Sequence, residues 1–254
     1  MKIKTIIIGL LVALAMASCS TEINLANRFV TQAPSVRAAV YFPEEAKVTL
    51  VQDEHGNYTK VLDSLDQDAF LDIMYSAYAT QLRTYGIDVY IPEDQENVEV
   101  DSIHWLVVLT QMEIQGRITP YTDEYYDFID TYEYQVPLNT VNVASWFDIN
   151  DGDWHPTLFY EHNLMDDFDS HVVRKDGGYS YEYSVIAIKS EDIYNYAVFL
   201  GKLYADYTFT EMMNKYVHSE MAKANAKPRF KMRWDPEEKM FYFVEDEDGF
   251  IELD

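Results

Sequence analysis

The sequence predicts an α+β fold: a mixed, largely antiparallel sheet with helices packed on one face. Three observations lead there. Phe70, Ile73, Met74, Ala77, Tyr78, Leu82 and Tyr85 form a single helical stripe between strand-like runs, at the spacing that puts its members on one side of a helix. The stretch 119–189 alternates with the short period of strands, and the chain's 21 tyrosines suit half-buried sheet surfaces. From Ser190 onward the period returns to that of a helix.

At the amino terminus, Lys2 and Lys4 precede an apolar run from Ile6 to Ala15. That run is too short to cross a hydrocarbon core of roughly 30 Å, so it reads as a secretory signal. Met16-Ala17-Ser18 then leads into Cys19, the only cysteine. The Met-Ala-Ser-Cys ending resembles the lipobox of bacterial (Gram-negative) lipoproteins, with Met16 where Leu is commonest. This resemblance implies a signal peptide over 1–18 and acylation of the Cys19 thiol. A lone cysteine in an exported chain has no intrachain disulfide partner, which is consistent with a chemical use. Ser20 resembles lipoproteins sent to the outer membrane, and with Glu22 the only acid close behind, the periplasmic side is expected. Residues 19–36 lack a sustained period and read as a lipidated tether, with a single globular domain over 37–254.

Within that domain, 37–118 reads as a βαβ-like unit. Ala38 to Phe42 is a buried strand, and Val48–Val51 and Tyr58–Leu62 flank His55-Gly56-Asn57 as a hairpin would. Ser64 or Asp66 can cap the helix, Gly86 ends it, and Ile87 to Ile91 resumes as a strand before Pro92. Trp105 to Leu109 is apolar throughout, as in a central strand covered on both faces. Strand, helix and strand in succession imply a right-handed crossover. This order, with Tyr-Gly-Ile-Asp-Val-Tyr at the helix end and Gln-Met-Glu-Ile-Gln-Gly at the strand end, resembles the α/β domain of envelope lipoproteins over 38–116. Among these are auxiliary lipoproteins of ABC-type lipid transporters, the curli-secretion lipoprotein and the amino-terminal domain of TolB. The resemblance implies a non-enzymatic assembly or transport component and transfers no site residues.

The β-rich part, 119–189, shifts phase near Thr140, which suggests a bulge. Asp151-Gly152 marks a turn before a short strand over Thr157–Tyr160, and Tyr179, Tyr181 and Tyr183 share a strand face. In 190–254, Ser190 caps a first helix, a second runs from Thr210 to Ala224, and a carboxy-terminal hairpin follows. Gly201 inside the first helix points to close packing against another element.

Charge narrows the function. With 44 acidic residues against 19 lysines and arginines, the net charge is −25. Such a surface repels nucleic acid and anionic headgroups, so lipid at Cys19 is expected to hold the membrane. There is no Gly-x-Ser-x-Gly elbow and no phosphate-binding glycine loop, and no cofactor is implied. His155, Glu161, His162, Asp166, Asp167, Asp169 and His171 crowd together without metal-ligand spacing, so no metal is assigned. Asp148 to Asp153 lacks the calcium-loop spacing and reads as a turn. Glu113, Glu161 and Glu182 offer carboxylates for a hydrolase without singling out a pair.

Tyr121 to Tyr134 interleaves rings with carboxylates, and Tyr125, Tyr126, Tyr132 and Tyr134 are the candidate ligand-binding residues. Rings stack on sugar faces while carboxylates accept sugar hydroxyls. The leading expectation is therefore a lipid-anchored envelope protein that binds or assembles with a protein partner. A glycan-binding lipoprotein is the alternative, and an envelope hydrolase comes third.

Overall fold

Burial of one sheet face beneath helices organises the chain. The computed structural model describes residues 21–92, 98–126, 131–175, 178–244 and 249–253; Cys19 and the signal peptide expected over 1–18 lie outside them. The fold is α+β. The main sheet has strand order β11-β6-β5-β4-β1-β3, with β2 also on β4. Here β1 is Arg37–Tyr41, β2 Lys47–Leu50, β3 Asp88–Tyr90, β4 His104–Tyr126, β5 Thr131–Asn150, β6 Thr157–Met165 and β11 Ile251–Leu253. Pairing is parallel where β1 meets β3 and β4 and where β2 meets β4. It is antiparallel across β4, β5, β6 and β11.

Helix α1 covers 21–32, α2 Gln67–Thr84 and α3 Ser190–Lys223. Asp66 caps α2, its carboxylate accepting from Ala69 N–H at 3.1 Å, and Gly86 just past the other end sits at φ +92°. Phe70, Met74, Tyr78 and Leu82 form the buried stripe of α2. They meet Leu200, Tyr204, Phe209 and Met213 of α3 in one core with Val107, Leu109, Val141, Val143 and Phe147 of the sheet.

Gly201 is where the two long helices touch. A methyl there would stand 2.3 Å from the Met74 carbonyl oxygen. The expected packing constraint is therefore a backbone-to-backbone contact.

Several expectations change. Residues 21–32, read as tether, are helical, with Glu22, Ala26 and Phe29 buried. The segment after β2 does not return as a hairpin, because β2 takes β4 as its partner. The intervening loop closes instead on Asp53, whose carboxylate accepts from His55 N–H and Asn57 N–H at 2.9 and 2.7 Å. That loop settles on Gly116, where an added Cβ would meet Thr59 Cγ2 at 2.8 Å.

The carboxy-terminal helical pair is one continuous 34-residue helix. No glycine or proline separates Tyr204 from Thr210, and Ala205, Thr208 and Phe209 carry the buried stripe across. Its cap residue is Lys189 rather than Ser190, with Asp192 Oδ2 accepting from Lys189 N–H at 2.8 Å. The ladder irregularity lies between Leu109 and Gln111, not at Thr140. Trp105, Val107 and Leu109 are buried while Leu106 and Val108 are half-buried, so β4 has one fully covered face.

Beyond the sheet, β4 and β5 continue as a two-stranded arm from Ile118↔Asn139 to Tyr126↔Thr131. A separate ribbon, β7 (Asp167–Lys175) with β8 (Gly178–Ile186), lies across the arm's face. It covers Val136 and Leu138, which are fully buried although they belong to the face opposite the helices. The remaining strands, β9 (Lys231–Asp235) and β10 (Met240–Val244), form a hairpin, and β11 joins β6 instead.

Candidate functional site

The site begins with an unfinished strand. β11 pairs with β6 only at Thr157, Leu158 and Phe159. From Tyr160 to Met165 no described strand covers the outer edge of β6. Alternate backbone N–H and C=O groups along an uncovered antiparallel edge point away from the sheet, ready to bond another strand.

That edge opens onto a cleft of about 530 Å³. Its walls are His162, Leu164 and Met165 of β6, Ile186 at the end of β8, Ile188 after it, and Tyr196 and Phe199 of α3. Phe199, Met165 and Ile186 are exposed, the last at 60%. Asp167 and Asp192 stand at the rim, so the arrangement is an apolar trough with an acidic lip.

Two anchors shape the trough. Asp166, buried at the corner between β6 and β7, accepts from Asn139 N–H at 2.8 Å, Asn139 Nδ2 at 2.7 Å and Ile188 N–H at 2.8 Å. It ties β5, the β6–β7 corner and the approach to α3 into one joint. At the floor, His162 Nδ1 and the Tyr196 hydroxyl share a hydrogen bond of 2.9 Å. Phe199 packs on the same imidazole with centroids 5.2 Å apart.

Burial lowers the His162 pKa from its ordinary 6.5 and raises that of Tyr196. The fold thus prefers a neutral ring. Stability from that preference is complete above the unfolded value and is lost as pH falls through the folded one. A His162→Phe variant should therefore show a flatter stability–pH curve than the parent between roughly pH 7.5 and 5. Urea unfolding across that window measures it, and parallel curves would remove His162 as the cause.

The candidate tyrosines do not make one platform. Tyr125 lies opposite Tyr132, and Asp123 opposite Tyr134, which places Tyr125, Tyr132 and Tyr134 on one face of the arm. Tyr126 belongs to the other face, 63% exposed. The ring of Tyr134 is stacked on Tyr181 of the ribbon, centroids 3.9 Å apart and 5° from parallel. Asp123 accepts from Ser170 Oγ at 2.6 Å and the Tyr181 hydroxyl at 2.8 Å, and these bonds lower its pKa. Much of the aromatic–acidic pattern is thus spent on joining arm to ribbon. Tyr126 and Tyr132 remain exposed near its tip.

The other polar candidates disperse. Glu161 accepts from Asn142, Glu113 pairs with Lys47, and Glu182 pairs with Lys175. Among the described residues no three of His, Cys, Asp and Glu converge as metal ligands would. In the turn after β5, Asn150 Oδ1 and Asp151 Oδ1 accept from Gly152 N–H and Trp154 N–H.

A second cleft, of about 470 Å³, brings together residues that the sequence did not single out: Trp154, Glu211, His218, Lys231 and Glu252. Burial raises the Glu211 pKa despite its ion pair with Lys231. The chain matches no family model and no curated protein.

Proposed function

We propose that this is a lipid-anchored cell-envelope protein, held at the outer membrane through Cys19, that binds an extended segment of a protein partner without catalysis. The observation that carries the reading is the uncovered β6 edge running along an apolar cleft. An added strand gains main-chain hydrogen bonds from the edge and places alternate side chains in the trough. The acidic lip at Asp167 and Asp192 suits a segment whose apolar residues are flanked by basic ones. The glycan alternative rests on Tyr126 and Tyr132 at the arm's tip, a smaller and more divided surface.

Site-specific photocrosslinking tests the reading. A benzophenone side chain at Phe199 should capture one partner segment of apolar and basic character. The same group at Ile91, exposed after β3 at the opposite edge of the sheet, should capture none. Phe199→Asp should weaken binding about tenfold or more, as loss of an apolar anchor does. Equal capture at both positions would overturn the site.

A further inference from the structure

The first described turn of α1 lies beside a basic segment of an acidic molecule. Between Lys215 and Arg233 stand Lys215, Lys223, Lys227, Arg229, Lys231 and Arg233, against Glu220 as the only acid, while the chain as a whole carries −25. This segment is the last part of α3, the turn at Asn225 with φ 55°, and the entry to β9.

Helix α1 is stitched to it. Glu22 Oε1 accepts from Arg229 N–H at 3.1 Å, Arg28 reaches Glu220 at 3.5 Å, and the Phe29 ring meets Tyr216 with centroids 5.6 Å apart. Three of the cations are answered within the fold: Lys223 by Glu220, Lys231 by Glu211 and Arg233 by Asp206. Lys227 and Arg229 are exposed, and among the described residues no carboxylate pairs with either. Beside them, Phe230 and Phe243 pack ring to ring at 4.8 Å while exposed at 42% and 57%.

We infer that this basic–aromatic patch is the face the molecule lays against an anionic bilayer. The inference rests on the lipid anchor proposed at Cys19. From Cys19 to Thr21 the chain spans at most about 7 Å, so an acyl group on Cys19 roots beside the first turn of α1. With α1 packed in the core, no slack separates the fold from the lipid. The surface around that root must then lie within about one Debye length of the headgroups, roughly 8 Å at physiological salt. Most of this molecule would be repelled at that distance. Lys227 and Arg229 are attracted, and Phe230 and Phe243 suit the interfacial layer between headgroup and chain.

The test uses the full-length, acylated chain in phosphatidylcholine vesicles with or without phosphatidylglycerol. A bimane label goes on Phe230→Cys or, at the other end of α3, on exposed Glu191→Cys, and the vesicles carry headgroup spin-labelled lipid. In anionic vesicles the label at 230 should be quenched several-fold more than the label at 191. Adding Lys227→Glu and Arg229→Glu should bring the 230 signal down to the 191 level. If the chain floats with the vesicles and both positions are quenched equally, the orientation is wrong and the anchor stands. If it remains at the bottom of the flotation gradient, the anchor fails and the orientation fails with it.

Discussion

Asp166→Ala is expected to release the β7–β8 ribbon while leaving the helical core folded. The carboxylate is the acceptor for three donors, two of them backbone N–H groups on Asn139 and Ile188, and it is nearly inaccessible to water. Removing it strands those donors, and each unsatisfied buried group costs about 1–3 kcal/mol. Partial relaxation and water entry bring the expected loss to about 3 kcal/mol. The damage should be local. Amide exchange should quicken over 167–188, where the ribbon and the link to α3 depend on the joint, while α2 and the middle of α3 keep their protection. Ile186 and Ile188 would lose their place in the trough, so capture through Phe199 should fall as well. Asp166→Asn, which keeps one oxygen acceptor, should lose less. Uniform acceleration across the chain would show that Asp166 serves global stability instead.

The second large effect falls on the helix crossing. Gly201→Ala should destabilise the whole fold even though alanine is the better helix former by about 1 kcal/mol. The new methyl would sit 2.3 Å from the Met74 carbonyl oxygen and 2.9 Å from Ala77 Cβ. The first obstacle is backbone, so no rotamer change relieves it and the helices must separate. Overpacking of this kind costs about 1–3 kcal/mol, and the buried rings of Tyr78 and Tyr204 near the contact have little room to follow. A net loss of about 2 kcal/mol should lower Tm by roughly 4–8 °C for a domain of this size. An unchanged or higher Tm would mean that the two helices can part at Gly201 without loss.

What the sequence disclosed, and what it hid, has a physical pattern. α2 was legible because Phe70, Met74, Tyr78 and Leu82 contrast sharply with polar neighbours and because Asp66 and Gly86 punctuate its ends. α1 was hidden because its buried stripe is Glu22, Ala26 and Phe29, a helical spacing written with a carboxylate, an alanine and a single ring. The continuity of α3 was obscured for a related reason: its middle is buried nearly all round, with Thr208, Thr210, Glu211 and Asn214 among the buried residues, so no apolar stripe stands out. The cleft could not be foreseen at all. Its open β6 edge is left because β11 is three residues long and reaches β6 only as far as Phe159, a pairing between segments far apart in the chain. The tyrosine-rich arm was visible as a pattern, but the stacking of Tyr134 on Tyr181 was not, since it depends on how the ribbon folds over. The basic cluster of 215–233, by contrast, was open to inspection as a local reversal of charge.

A helix of 34 residues without a break is also a ruler. At 1.5 Å per residue, α3 runs for about 50 Å, with the trough at its beginning and the basic cluster at its end. If the end rests on lipid, a bound segment is presented roughly 40 Å away along the strut. Deleting one turn would shorten that reach by about 5 Å. On that orientation, the length of one helix would set how far from the bilayer the segment is held.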